Sequence, residues 1–119
     1  MIAPLTVRIT LTDMVAYAGA TWDWHRLHYD VSDTPGLRAP VVDGQMLGAL
    51  MARQVLDHFG PGAFLRSLDI RYKAMVFAGD TVTIEAESNT DEGTATVTQR
   101  VTVGDTLVAE GSAGVLLGA

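Results

Sequence analysis

Within the stretch "WDWHRLHYD", Trp22 to Asp30, Asp23 and His28 stand five positions apart. Both Trp of the chain and two of its three His fall here, in a sequence otherwise rich in Ala, Val, Leu, Gly and Thr. A carboxylate and an imidazole that meet can hold one water between them, take its proton and return one. The spacing alone also suits a loop that carries surface charges. Asp23, His25, His28 and Asp30 could together offer oxygen and nitrogen donors to a metal. No strong fourth ligand stands elsewhere in the chain, so no metal is expected.

Such a dyad needs a frame, and the flanking patterns supply one. "LTVRITLT" (Leu5–Thr12) is β-branched and weakly alternating, which predicts a strand. Thr12 or Asp13 can cap a short helix running to about Ala20. Trp22 to Pro40 reads as irregular, with "SDTPG" (Ser32–Gly36) a turn and Ala39–Pro40 a non-helical boundary. From Asp43, "DGQMLGALMARQVLDHFG" fits a helix of about four turns. Met46, Leu47, Leu50, Met51, Val55 and Phe59 form its apolar band. Arg53, Gln54, Asp57 and His58 gather at its far end, with His58 suited to the helix C-terminus, and Gly60, Pro61 and Gly62 stop it. Four strands follow: Leu68–Phe77, Thr81–Glu87, Thr94–Val103 and Thr106–Leu117. "AGD" (Ala78–Asp80), a hairpin loop at Asn89–Gly93, and Gly104–Asp105 join them. Strands in runs with segregated helices mean an α+β domain, its sheet curled around the long apolar helix.

Composition bounds what that domain does. The 119 residues make one domain, 1–119, and 48% hydrophobic content is enough for a core. No Cys is present, so disulfides and thiolate metal sites are excluded and a cytoplasmic location is expected. Neither a signal peptide nor a membrane span is read. A net charge of −6 argues against a nucleic-acid surface. An anionic ligand would need local help from Arg26, Arg38, Arg53, Arg66, Arg71 or Lys73.

Three blocks carry a family resemblance. Asp23-Trp24-His25-Arg26-Leu27-His28 resembles the D-x-N-P-[LIV]-H signature of the MaoC-like (R)-specific enoyl-CoA hydratases and dehydratases. Asp, aliphatic residue and His match; His25 and Arg26 replace Asn and Pro. "RAPVVDGQMLGAL" (Arg38–Leu50) is similar to the family's R-P-I-V-H-G segment before the long helix, with Asp43 where His is usual. "IRYKAMVFAGDTVTIEAE" (Ile70–Glu87) resembles its strand-turn-strand block, with Ala74-Met75 where a Pro would often stand.

The resemblance implies a hotdog fold and the hydration of trans-2-enoyl-CoA to (3R)-3-hydroxyacyl-CoA, or the reverse. The CoA thioester is the substrate and no cofactor is called for. It implies Asp23 and His28 as the catalytic pair, with Asp23 favoured as base and His28 as acid. It places Val42, Asp43 and Gly44 against the thioester, where the Gly44 N–H at the helix N-terminus would stabilise the oxyanion by about 3–4 kcal/mol. Lacking a Cβ, Gly44 would let substrate approach the backbone. Trp22 and Trp24 either line an acyl pocket or pack the loop on the core. Ala52 stands where some relatives carry a polar contact.

Alternatives stay open. Asp43 is either a helix N-cap or the carboxylate of a hotdog acyl-CoA thioesterase. The resemblance also implies assembly, as a homodimer or as the catalytic half of a heteromer with a degenerate hotdog subunit. Similar split hydratases act on steroid side-chain thioesters.

Overall fold

A computed structural model describes residues 1–32 and 34–118. The expected turn Ser32–Gly36 includes Asp33, which lies outside the described residues. The first strand is shorter than its sequence pattern: β1 spans Leu5–Arg8. The cause is Thr10, which turns out of the strand to cap α1 (Leu11–Thr21). Its hydroxyl accepts the Asp13 N–H and the Asp13 carboxylate accepts the Thr10 N–H, each at 3.1 Å. The cap is therefore Thr10, not Thr12 or Asp13, and Asp13 is the third residue of a capping box. α1 ends at Trp22 in the left-handed region, φ 58°, which releases the chain one residue before Asp23.

After a 3-10 turn at Arg26–His28, helix α2 runs Gly44–Phe59. β2 (Phe64–Tyr72), β3 (Thr81–Asp91), β4 (Thr94–Val103) and β5 (Thr106–Leu116) complete the chain. All pairings are antiparallel, in the order β1-β3-β4-β5-β2. The sheet curls around α2, as the hotdog layout requires. Leu47, Met51 and Val55 face it and pack among Ile84, Val97, Val101, Ala109 and Val115. Small residues in β5 allow the close approach. A Cβ on Gly111 would stand 2.6 Å from Met51 Cε and 2.9 Å from Asp69 O.

Further strand ends differ from the sequence pattern, in β2 and β3. The strand read over Leu68–Phe77 begins at Phe64 and ends at Tyr72. Beyond it, the Lys73 and Ala74 N–H groups both donate to Val108 O, at 2.8 and 3.2 Å, so the chain leaves the ladder. The β3–β4 hairpin is longer than expected. Asn89, Thr90 and Asp91 stay paired, and Glu92 and Gly93 alone make the turn, with φ +41° and +81°. Positive φ at both turn residues matches the right-handed twist of the strands.

Gln54 was expected among the polar residues at the far end of α2, but it is buried. Its amide donates to Ile84 O at 2.7 Å and Ala3 O at 3.0 Å. Its Oε1 accepts from Gln99, whose amide also donates to Met51 O at 2.9 Å. Gln99 is fully enclosed, on the inward face of β4 beside Val97 and Val101. The pair pins α2 to β3 and β4 where apolar contacts alone would allow sliding. Gln54→Ala deletes three hydrogen bonds, should destabilise the protein by about 2–4 kcal/mol, and is checked by urea unfolding. An unchanged midpoint would show that the pair contributes nothing.

Candidate active site

The dyad segment is positioned by backbone before any side chain acts. The Val41 N–H donates to Leu27 O at 2.7 Å, and Val41 O accepts from His28 Nδ1 at 2.7 Å. The segment around Val41 is strapped to the β2–β3 connection in turn. The Val42 N–H donates to Val76 O at 2.7 Å, and the Ala78 N–H donates to Pro40 O at 2.9 Å. Arg38 lies over the Phe77 ring, 4.2 Å from its centroid, and reaches Asp80 at 3.0 and 3.1 Å. Asp80 Oδ2 also accepts the Phe77 N–H at 2.9 Å. These ties hold the dyad loop without the missing Asn and Pro. They also explain why the "RAPVVDG" and "MVFAGD" blocks occur in one chain.

A carbonyl only accepts, so the Val41 bond puts the proton of neutral His28 on Nδ1. Nε2 then presents a lone pair to the cleft. It stands 4.0 Å from Asp23 Oδ2, too long for a direct hydrogen bond and suited to one water touching both. The cleft is lined by Met14, Tyr17, Ala18, Asp23, His28, Asp43 and Met46.

The structure brings Asp43 into this group. Asp23, His28 and Asp43 each offer one ligand atom, and the three atoms lie within 4.8 Å of one another. The other acidic and imidazole groups of the segment are engaged locally. His25 Nδ1 accepts the Leu27 N–H at 3.2 Å, and Asp30 Oδ1 accepts the Ser32 N–H at 2.9 Å. The neighbouring Asp43 carboxyl, then the nearby His28 charge, holds Asp23 below the usual carboxylate range. Burial pushes Asp43 above it. Burial, then the Asp43 charge, also raises Tyr17 and Tyr72.

Asp43 is the N-cap of α2, its Oδ1 accepting the Gln45 N–H at 2.9 Å. Gly44 follows as the first helical residue, so its N–H has no intrahelical acceptor. The space of its absent Cβ is filled by protein. A Cβ would meet the Tyr72 ring at 3.0 Å, and the Tyr72 hydroxyl donates to Gly44 O at 2.7 Å. Glycine is needed here for Tyr72 to pack. Val42 is buried in the core beneath. Neither Trp lines the cleft: Trp22 is 83% exposed, and Trp24 packs near Gly19 and edge-on to Tyr29. Tyr17 and Tyr72 were not singled out in the sequence. Tyr72 ends an alternating run with Leu68 and Ile70, which is the signal that could have placed it on the helix side.

Residues 2–111 match the model of the MaoC like domain family. The chain belongs to this family. It is 31% identical to the (R)-specific enoyl-CoA hydratase of Aeromonas caviae, over 97% of this chain and 91% of that protein. The solved structure of the (R)-hydratase from A. caviae involved in PHA biosynthesis superimposes with a TM-score of 0.90 at 30% identity, covering 98% of this chain and 94% of that one. The ChsH1–ChsH2 complex from Mycobacterium tuberculosis contains a chain with a TM-score of 0.91 at 24% identity, covering 98% and 94%, which shows the shared hotdog fold.

Proposed function

We propose that this MaoC-like protein adds water across the double bond of a trans-2-enoyl-CoA to give a (3R)-3-hydroxyacyl-CoA, and catalyses the reverse dehydration. The observation that carries this reading is the His28 Nε2 lone pair facing Asp23 Oδ2 across 4.0 Å at the N-terminal end of α2. A water held between them attacks the β-carbon while the thioester oxygen gathers charge against the Gly44 N–H. The water proton passes to Nε2, and the imidazolium that forms is stabilised by the Asp23 carboxylate. The same imidazolium returns a proton to the α-carbon, so O–H is added with no net proton or electron change. No redox or group-transfer cofactor is required. The bond to Val41 O therefore favours His28 as proton acceptor first and donor second, with Asp23 orienting the water. The alternative division makes Asp23 the base and His28 the acid.

The proposed assembly is a pair of hotdogs, either two copies or this chain with a degenerate subunit that accommodates a bulky acyl group such as a steroid side chain. Among the described residues no helix is long and apolar enough to cross a membrane, and a cytoplasmic location is proposed.

Incubation with crotonyl-CoA tests the reaction. Loss of the enoyl absorbance without free thiol is the expected result. Thiol release with the enoyl group intact would favour a thioesterase instead.

A further inference from the structure

Asp43 does more than cap α2. Its Oδ1 takes the Gln45 N–H, but its Oδ2 is shielded from solvent and meets no hydrogen-bond donor among the described residues. A buried carboxylate oxygen without a donor is costly. The Asp23 carboxyl is close, within the 4.8 Å cluster, yet it too is an acceptor when ionised. Two such oxygens facing one another are satisfied by a proton between them. The other titratable group that acts on Asp43 is His28 from the dyad turn, and the Asp43 charge in turn raises Tyr17 on α1 and Tyr72 on β2. Among the described residues, no Lys or Arg is among the groups that shift Asp23 or Asp43.

We propose that Asp43 is a positioning residue of the active site: it shares one proton with Asp23, donating from Oδ2, and so holds the Asp23 carboxylate toward the water and His28. This deepens the hydratase reading and rests on it. The opposite directions in which the two carboxyls move give the one-proton state an interval of pH, from the lowered Asp23 value up to the raised Asp43 value. Below it Asp23 is protonated and cannot support His28. Above it both are ionised and repel.

Two substitutions separate the capping role from the shared proton. Ser caps a helix about as well as Asp but is too short to reach Asp23. Asn caps equally well, and its amide N–H can donate to Asp23 at every pH. With crotonyl-CoA, Asp43→Ser should lower kcat about tenfold with KM within about twofold, less than the hundredfold or more of a direct acid–base group, because Asp43 acts through Asp23. Asp43→Asn should keep kcat within a few-fold and lose the fall in rate on the alkaline side of the interval. Carbon-13 NMR titration of the carboxyls, independent of turnover, should show Asp43 releasing its proton at higher pH than Asp23, with the Asp23 signal responding to that step. A wild-type chain that hydrates nothing but shows this titration would defeat the hydratase reading and leave the shared proton standing. Asp43→Ser with wild-type kcat and pH profile, or Asp43 titrating below Asp23, would overturn the proposal. Activity lost to a chelator and restored by a divalent metal would overturn it as well, since a cation would then occupy the place of the proton.

Discussion

Asp23→Asn and His28→Asn should each lower crotonyl-CoA hydration by at least about a hundredfold, the range expected when a positioned acid–base group is removed. Asn is chosen at His28 because its amide nitrogen can replace Nδ1 as donor to Val41 O. The loop tie at 2.7 Å is then kept and only the Nε2 lone pair is lost. His28→Ala would remove both and confuse chemistry with loop position. At Asp23, Asn keeps the size of the side chain but cannot stabilise an imidazolium. Neither residue belongs to the apolar core, so the melting temperature should stay near wild type. The rate measurement reads kcat at saturating substrate alongside a thermal melt. A variant at either position that turned over at near wild-type rate would remove that residue from the mechanism.

The fold was readable because alternation and helical period are set by which face is buried. The apolar band of α2 survives into the structure, and burial there alternates along β4. What was misread follows from polar groups that face inward. Gln54 looked like part of the solvated helix end, although its spacing from Leu47 and Met51 places it on the core face. Gln99 occupies an inward position of β4 by simple alternation. The bonds of the two amides to each other and to the Ala3, Ile84 and Met51 carbonyls offset the burial, and such pairing between distant segments is not written in local pattern. The site shows the same division. Asp23, His28 and the helix start at Gly44 could be named from motif blocks. That Asp43 joins Asp23 and His28 in one cluster, and that Tyr72 fills the space beside Gly44, depend on how distant segments meet at the N-terminus of α2.

Activity should depend on assembly as strongly as on the dyad. The sheet has two free edges, β1 of four residues and β2 of nine. A long unpaired edge invites another strand. β2 also ends at Tyr72, which packs on Gly44, so a partner added along β2 would come up beside the helix N-terminus and the dyad. Exposed apolar side chains flank the same edge: Phe64 and its cross-strand partner Leu116 at one end, Tyr72 and Met75 at the other. The outer face of the neighbouring strands is polar, with Thr98, Arg100 and Ser112 exposed, and makes a poorer contact than the β2 edge. The cleft at the dyad is narrow in the single chain, and a long acyl group needs further walls. Sedimentation of the purified protein should therefore show a dimer, and crotonyl-CoA turnover per chain should fall on dilution as the dimer dissociates. Phe64→Glu places a charge on that edge without touching the core, and it should shift the dilution curve to higher protein concentration by about tenfold or more, the equivalent of about 1.4 kcal/mol of interface energy. A dimer with little turnover, rescued by mixing with a second hotdog subunit, would assign the chain to a heteromer. A stable monomer with full, dilution-independent activity would rule out a shared site.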